Sequence, residues 1–188
     1  STADTGRIIR EGLSVSIVGK PNVGKSSLMN VLMGENRAIV TDIPGTTRDI
    51  IEESMVIKNI PVVITDTAGI RDTEDIIEKI GIEKSKTALS RADLIIFVID
   101  ASRPLEEEDM QIMSHVAGRR AIVLLNKSDK GLAADRALIE KELPSAVIIE
   151  TSVIGGRGIE ELTQAIEDMV YGGKVSQKEN LRLIFLTV

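Results

Sequence analysis

The sequence predicts an α/β fold, a six-stranded, mainly parallel sheet with one antiparallel edge strand and helices on both faces. Short apolar runs alternate along the chain with longer amphipathic runs, a pattern typical of parallel strands joined by crossover helices. Two neighbouring apolar runs are separated only by residues 58–60, a link long enough for a hairpin but too short for a crossover. Aromatic residues make up only 2% of the chain, so the core must be aliphatic, as in buried parallel sheets.

Each apolar run of strand length predicts a strand, and each longer run with apolar residues three or four apart predicts a helix. The first strand leads into a glycine-rich turn, and the second and third strands form the hairpin. The last helix carries Ile159, Leu162, Ile166 and Met169 on one face. The predicted strands are Leu13–Val18, Ile50–Ile57, Pro61–Thr65, Leu94–Ile99, Ala121–Leu125 and Ala146–Glu150. The predicted helices are Ser26–Met33, Asp75–Ser90, Glu106–Ala117, Ala133–Leu143 and Ile159–Val170.

The 188 residues are enough for one domain. The sequence predicts this domain with a linker before it and a tail after it. Residues 1–12 are polar and contain glycine, which indicates a linker, and residues 13–171 form the domain. Residues 172–188 are a tail of uncertain structure, in which Gly172-Gly173-Lys174 is expected to close the last helix. The apolar run Leu181–Val188 could be an added edge strand, the start of another domain, or residues foreign to the domain.

The composition argues against several kinds of partner and site in this part of the protein, although it does not exclude RNA contact through another domain. The net charge of -6 argues against binding RNA or an anionic membrane by bulk electrostatics. The chain contains no cysteine, so it has neither disulfides nor thiolate metal sites. No apolar run approaches the ~20 residues that span a bilayer, and the polar start does not have the pattern expected of a signal peptide. We therefore expect a cytoplasmic location and no membrane partner.

Residues 19–26 read G-K-P-N-V-G-K-S, which matches the phosphate-binding pattern G-x-x-x-x-G-K-S. The run lies between a predicted strand and a predicted helix, as the motif requires. Glycine lets the backbone approach phosphates, and the N–H groups at the helix start point at the anion. Lys25 can reach the β- and γ-phosphates, and the Ser26 hydroxyl can bind Mg²⁺.

Two further segments complete this chemistry. Asp66-Thr67-Ala68-Gly69 follows a strand, so that Asp66 can hold Mg²⁺ through water and the Gly69 N–H can meet the γ-phosphate. In the run T-T-R-D that ends at Asp49, Thr47 is expected to complete the magnesium shell.

The sequence N-K-x-D follows a predicted strand at Asn126-Lys127-Ser128-Asp129, and this motif indicates a loop that binds the guanine base. The Asp129 carboxylate can accept from the guanine N1–H and exocyclic amine, a pattern that adenine lacks. Asn126 and Lys127 would support the loop, with the lysine stem against the purine face. Thr151 and Ser152, after the next strand, form a looser match to the last guanine-contacting loop.

The residue after D-x-x-G is Ile70, where many GTPases have the glutamine that orients the attacking water. An aliphatic side chain cannot orient water, so another group must do so. The transition state also needs positive charge, an effect of ~10³ to 10⁵ in rate. Arg48, Arg71 or a bound cation could supply that charge.

Together with the run E-K-I-G-I-E, these motifs resemble the GTPase domain of the MnmE (TrmE) family of tRNA-modification GTPases, within the TrmE-Era-EngA group. The resemblance covers roughly residues 12–170 and implies a Ras-like P-loop GTPase that hydrolyses GTP to GDP and phosphate. It also implies potassium activation, with K⁺ bound by the Asn22 side chain and by backbone oxygens of Thr41, Ile43 and Thr46. Glu78 would orient the attacking water, acting in catalysis with Gly69 and Lys25. The predicted nucleotide-binding residues are Asn22, Val23, Gly24, Lys25, Ser26, Ser27, Asn126, Lys127, Asp129, Thr151 and Ser152.

The resemblance further implies partners. The domain itself would bind GTP and GDP and would contact a second GTPase domain across the switch loops. Through the full-length protein, the further partners would be tRNA and the flavoprotein MnmG (GidA), which act together in modification of the wobble uridine. The alternative is a ribosome-assembly GTPase of the Era or EngA type with nucleotide-gated RNA binding. A module that binds GTP with little turnover, and an ATPase, are two further readings.

Overall fold

The computed structural model describes residues 2–36, 52–65 and 89–185, and the side chains of residues 3–36, 52–65 and 89–172. In this part of the chain, six strands form one sheet in the order β2-β3-β1-β4-β5-β6. The strands are β1 Leu13–Val18, β2 Glu53–Ile57, β3 Ile60–Thr65, β4 Leu94–Asp100, β5 Ala121–Asn126 and β6 Val147–Glu150. The helices are α1 Thr2–Glu11, α2 Lys25–Asn36, α3 Glu107–Val116, α4 Arg136–Glu142 and α5 Ile159–Phe185, with a 3-10 turn at Ser128–Lys130.

The predicted sheet is confirmed, including its antiparallel edge. β1 lies in the middle and pairs in parallel with β3 on one side and β4 on the other, and β5 and β6 continue in parallel beyond β4. Only β2 runs antiparallel, along β3. Lys58 and Asn59 connect these two strands with φ values of 46° and 63°. Positive φ at both central residues is the signature of the two-residue turn that fits the twist of a hairpin.

The core has two sides, and β4 contributes to both. Leu94, Ile96 and Val98 belong to the cluster that includes residues of α1, α2 and α5. The alternate residues of β4, such as Phe97, belong to the cluster that includes residues of α3 and α4. Because successive side chains of a strand point to opposite faces, an apolar run without alternation requires helices on both faces, as predicted.

Residues Thr2–Glu11 form helix α1, which corrects the prediction of a linker over residues 1–12. Ile8 is buried in the core beneath the helix. Arg7 forms an ion pair of 2.6 Å with Asp93, just before β4, and the Thr5 hydroxyl donates to the Val170 carbonyl at 3.2 Å. A single buried isoleucine gives a weak apolar pattern, and the ion pair and hydrogen bond that complete the packing involve residues distant in sequence.

Helix α5 continues to Phe185, which corrects the expected end of the last helix and excludes one of the three alternatives for residues 181–188, the edge strand. Gly172-Gly173-Lys174 does not close the helix, and residues 181–185 are helical and not a strand. Glycine in a helix interior costs about 1 kcal/mol relative to alanine, which weakens a helix without ending it. The side chains of the first half of α5 anchor it to the hairpin, because Lys58 pairs with Glu160 at 2.8 Å.

Other differences are confined to the ends of elements. The strand predicted from Ile50 begins at Glu53, and residues 50 and 51 lie outside the described residues. The helix predicted from Ala133 begins at Arg136, because the Asp135 carboxylate caps it by accepting from the Leu138 N–H at 3.1 Å. Of the helix predicted at 75–90, only 89 and 90 are described, and both are helical. Within the described helices, none combines the length and apolar character that crossing a bilayer requires.

We expect the buried contact of α1 to stabilise the domain. Ile8→Ala should lower the free energy of unfolding by about 2–3 kcal/mol, because it removes buried methyl groups and leaves a cavity. Ile9→Ala is the matched control, since Ile9 is 47% exposed, and its effect should stay within about 0.5 kcal/mol. Urea denaturation of the two variants measures the difference, and equal effects would mean that α1 does not pack as described.

Candidate functional site

The predicted nucleotide-binding loops meet at one edge of the sheet. The phosphate loop follows β1, the N-K-x-D loop follows β5, and the loop of Thr151 and Ser152 follows β6. These strands are parallel, so their carboxyl ends lie along the same edge. Neighbouring connections diverge beside β1, and such a switch point in an open α/β sheet is where ligands bind.

The phosphate loop adopts a backbone that requires glycine at its two ends. Gly19 has φ of 154°, and a Cβ there would lie 2.4 Å from the Val98 carbonyl oxygen of β4. Gly24 has φ of 112°, and a Cβ there would lie 2.2 Å from Asn126 Nδ2. Between them Asn22 is exposed, with φ of 64°. The loop then enters α2 at Lys25, so the N-terminus of this helix, where N–H groups favour anions, lies at the end of the loop.

The Lys25 ammonium lies inside the phosphate loop. It donates hydrogen bonds to the carbonyl oxygens of Gly19 and Lys20, the latter at 3.1 Å. Burial lowers the pKa of Lys25, against a smaller opposing effect of the Glu108 carboxylate. Phosphate oxygens at this position would offset that desolvation, which suits the predicted role of Lys25.

Lys20 connects the phosphate loop to the start of α3 through ion pairs that no motif of the sequence predicts. Its ammonium lies 2.8 Å from Glu106 and 2.8 Å from Asp109, whose side chain is buried. Burial alone would lower the pKa of Lys20, but the hydrogen bonds to Asp109 and Glu106 outweigh it and raise that pKa. The signal available in the sequence was a lysine at a variable position of the motif, together with an acidic first turn of a helix.

Asn126 connects the three loops through its buried side-chain amide. Nδ2 donates to the Val23 carbonyl of the phosphate loop at 2.8 Å. Oδ1 accepts from the Thr151 hydroxyl at 3.2 Å and from the Val153 N–H at 3.1 Å. The predicted supporting role of Asn126 therefore has a concrete geometry.

Lys127 also joins two loops. Its ammonium donates to the Asn22 carbonyl at 2.7 Å and to the carboxylate of Asp100, the last residue of β4, at 3.0 Å. Asp129 lies in the 3-10 turn with its side chain exposed, as a base-reading carboxylate requires. That turn is anchored by Ser128, whose N–H and hydroxyl both donate to the Thr151 carbonyl, at 3.0 and 2.9 Å.

The remaining predicted residues fall into two groups. Ser26 and Ser27 lie in the first turn of α2, and Ser152 exchanges backbone hydrogen bonds of 3.1 Å with Arg157. The other group lies outside the described residues, although β3 ends at Thr65, next to Ser16 of β1 and one residue before Asp66. The members of that group are Thr41, Ile43, Thr46, Thr47, Asp66, Gly69 and Glu78.

The sequence matches a known family over this part of the fold. The family described as 50S ribosome-binding GTPase matches residues 14–127, which is more than half of the chain. The chain is 56% identical over 180 residues to the tRNA modification GTPase MnmE of Clostridioides difficile, covering 96% of this chain and 39% of that protein. It is 49% identical over 175 residues to MnmE of Geobacillus kaustophilus, covering 93% and 38%. The chain thus spans about two fifths of the length of these relatives.

Solved structures share the fold. Era in complex with MgGDPNP and a segment of 16S ribosomal RNA is 34% identical, with a TM-score of 0.58, over 81% of this chain and 55% of that chain. The G domain of the FeoB iron transporter of T. maritima is 26% identical, with a TM-score of 0.58, over 83% and 97%. The resemblance drawn from the motifs is confirmed by the MnmE identities.

We expect the contact between Gly24 and Asn126 to limit substitution sharply. Gly24→Ala should lower GDP affinity by at least about tenfold, because the new Cβ would displace the Asn126 amide from the Val23 carbonyl. Gly34→Ala is the control, since Gly34 is exposed in α2 with nothing within 4 Å of an added Cβ. It should leave affinity unchanged and stabilise the fold by about 0.5–1 kcal/mol. Titration with a fluorescent GDP measures both affinities, and unchanged binding by Gly24→Ala would contradict this packing.

Proposed function

The chain belongs to the 50S ribosome-binding GTPase family, and from its identity to MnmE proteins we propose that its hydrolysis of GTP serves tRNA modification, with Mg²⁺ and K⁺ as cofactors. GTP hydrolysis itself follows from membership of the family. The proposed nucleotide site rests on one observation, the 2.8 Å hydrogen bond that the Asn126 side-chain amide donates to the Val23 carbonyl. It joins the loop with a guanine-reading sequence to the loop with a phosphate-binding sequence, which is the arrangement that one guanine nucleotide needs.

In this proposal the chain neutralises and orients the phosphates. The N–H groups of the phosphate loop and the Lys25 ammonium would bind the β- and γ-phosphates. Gly69 would add an N–H to the γ-phosphate, and Glu78 would orient the attacking water in place of the glutamine that Ile70 replaces. These last residues lie outside the described ranges, so their roles rest on the sequence.

Ser26 fits a magnesium ligand. It is exposed in the first turn of α2, directly after Lys25, and a hydroxyl oxygen suits a hard cation. Thr47 and Asp66 would complete the protein's share of the ligands. When bound, Mg²⁺ would supply positive charge that offsets the negative charge developing on the phosphates during hydrolysis.

Asn22 fits a potassium ligand for a similar reason. Its side chain is exposed within the phosphate loop, and its backbone is held by the 2.7 Å hydrogen bond from Lys127. Backbone oxygens of Thr41, Ile43 and Thr46 would complete the site. When bound, K⁺ would supply the positive charge that an arginine finger provides in other GTPases.

The role in tRNA modification is supported by the relatives, which are named tRNA modification GTPase MnmE. Because the chain spans 39% of their length, the modification of the wobble uridine and the partnership with tRNA and MnmG are proposed for the whole protein. Within it, GTP binding and hydrolysis would rearrange the switch loops and bring two GTPase domains together.

A second candidate is a ribosome-assembly GTPase with nucleotide-gated RNA binding. The description of the matching family and the 34% identity to Era, which was solved with a segment of 16S ribosomal RNA, favour it. The net charge of -6 argues against it, because RNA affinity depends on basic residues. The 56% identity to MnmE also makes the first candidate the better supported one.

We expect GTP turnover by this domain to be at least about tenfold faster in KCl than in NaCl of equal ionic strength. The reason is that K⁺ would substitute for an arginine finger, which accelerates hydrolysis by ~10³ to 10⁵. Asn22→Ala should abolish most of that difference while GDP affinity stays within about threefold of the parent. Asn30→Ala makes the same chemical change on the exposed face of α2 and should keep the potassium response.

Equal turnover of the parent in both salts would overturn the potassium proposal. Loss of GDP binding by Asn22→Ala would assign Asn22 a structural role instead. Size-exclusion chromatography with GDP and aluminium fluoride should give a dimer in KCl and a monomer in NaCl. Binding of a 16S ribosomal RNA fragment with GTP and not with GDP would favour the second candidate.

A further inference from the structure

Asp100, the last residue of β4, receives three hydrogen bonds although it belongs to none of the motifs. Its Oδ1 accepts from the Ser102 N–H at 3.0 Å and from the Ser102 hydroxyl at 2.6 Å. Its Oδ2 accepts from the Lys127 ammonium at 3.0 Å. Only 12% of the Asp100 side chain is exposed, so the carboxylate is directed into the protein.

The Lys127 ammonium makes its second contact to the phosphate loop, at the Asn22 carbonyl 2.7 Å away. Lys127 and Asn22 both have left-handed backbones, with φ of 60° and 64°. Residues other than glycine seldom adopt the left-handed conformation, so contacts with neighbouring groups are needed to maintain that conformation. One ammonium therefore connects the two left-handed turns that shape the base-reading loop and the phosphate loop.

The sheet fixes the position of Asp100 relative to Lys127. Asp100 pairs in register with Asn126, the residue before Lys127, and the Ala101 N–H donates to the Asn126 carbonyl at 2.7 Å. Burial disfavours the ionised form of Asp100, but the Ser102 hydroxyl and Lys127 outweigh it and lower the pKa of Asp100. The carboxylate is thus ionised at neutral pH and faces the lysine.

We propose that Asp100 is a positioning residue that holds the Lys127 ammonium against the Asn22 carbonyl, so that the base-reading and phosphate loops bind the nucleotide as one unit. Ser102 orients the carboxylate for this purpose. The inference rests on the proposed function, because Asn22 and Lys127 act on a nucleotide only if the site binds one. It adds a residue that belongs to none of the sequence motifs and assigns it an action through Lys127.

A double-mutant cycle tests the inference with GDP affinity as the readout. Asp100→Asn should weaken GDP binding by about tenfold, the range expected for a lost hydrogen bond between charged groups. Lys127→Met should weaken it by at least as much. The variant with both changes should bind GDP within about twofold of Lys127→Met alone, because Asp100 acts through Lys127. Effects that multiply would show that Asp100 acts independently and would overturn the proposal.

Two further variants keep the test decisive. Ser102→Ala should weaken binding by about threefold, and this loss too should vanish in the Lys127→Met background. It replaces Asp100→Asn in the cycle if that variant does not fold, as judged by thermal melting. Asp135→Asn makes the same carboxylate-to-amide change at the cap of α4 and should leave GDP affinity unchanged. An equal loss in Asp135→Asn would show a general effect of destabilisation and would count against the proposal.

The cycle separates failure of the inference from failure of the proposed function. GDP affinity is measured in NaCl, where neither potassium nor hydrolysis is needed. If GTP turnover by the parent does not respond to potassium, the proposal of K⁺ as a cofactor is wrong. The role of Asp100 is still supported if the double variant binds GDP as Lys127→Met alone does. If the parent responds to potassium and the cycle is additive, only the role of Asp100 fails.

Discussion

The arrangement of the site depends on the buried amide of Asn126. Its three hydrogen bonds reach Val23, Thr151 and Val153, which lie on loops that follow two other strands. The side chain is only 3% exposed, so water cannot replace any of these partners. A buried polar group that loses its partner costs about 1–3 kcal/mol, and a movement of any of the three loops incurs that penalty. The amide therefore holds the loops in mutual register before any ligand contributes.

Tight packing of the sheet edge adds a second constraint. The phosphate loop passes so close to β4 and β5 that Gly19 and Gly24 leave no room for a Cβ. Such an approach needs rigid neighbours, and the central strands provide them because both of their faces are buried. The two-sided core thus determines how precisely the loops can be placed, and Lys20 extends that rigidity to α3.

The sequence was sufficient for features that depend on neighbouring residues. The sheet, its hairpin and the phosphate loop follow from runs of a few residues whose spacing fixes their conformation. Helix α1 was missed because Ile8 is its one fully buried apolar residue, and Arg7 and Thr5 are paired with residues far along the chain. The end of α5 was missed because two glycines resemble a stop, although they only weaken a helix. The contacts of Lys20 with Asp109 and of Asp100 with Lys127 depend on which strands are neighbours, and no local pattern contains that information.

The unbroken course of α5 has a mechanical consequence. Its 27 residues make a rod about 40 Å long, since each residue of an α-helix advances the axis by 1.5 Å. The helix is held along its first twelve residues, from Glu160, which pairs with Lys58 of the hairpin, to Val170, whose carbonyl accepts from Thr5 of α1. A tilt of about five degrees at Val170 would move Phe185, about 22 Å further along the axis, through roughly 2 Å. The length of the helix would therefore turn a small tilt at Val170 into a larger displacement at Phe185.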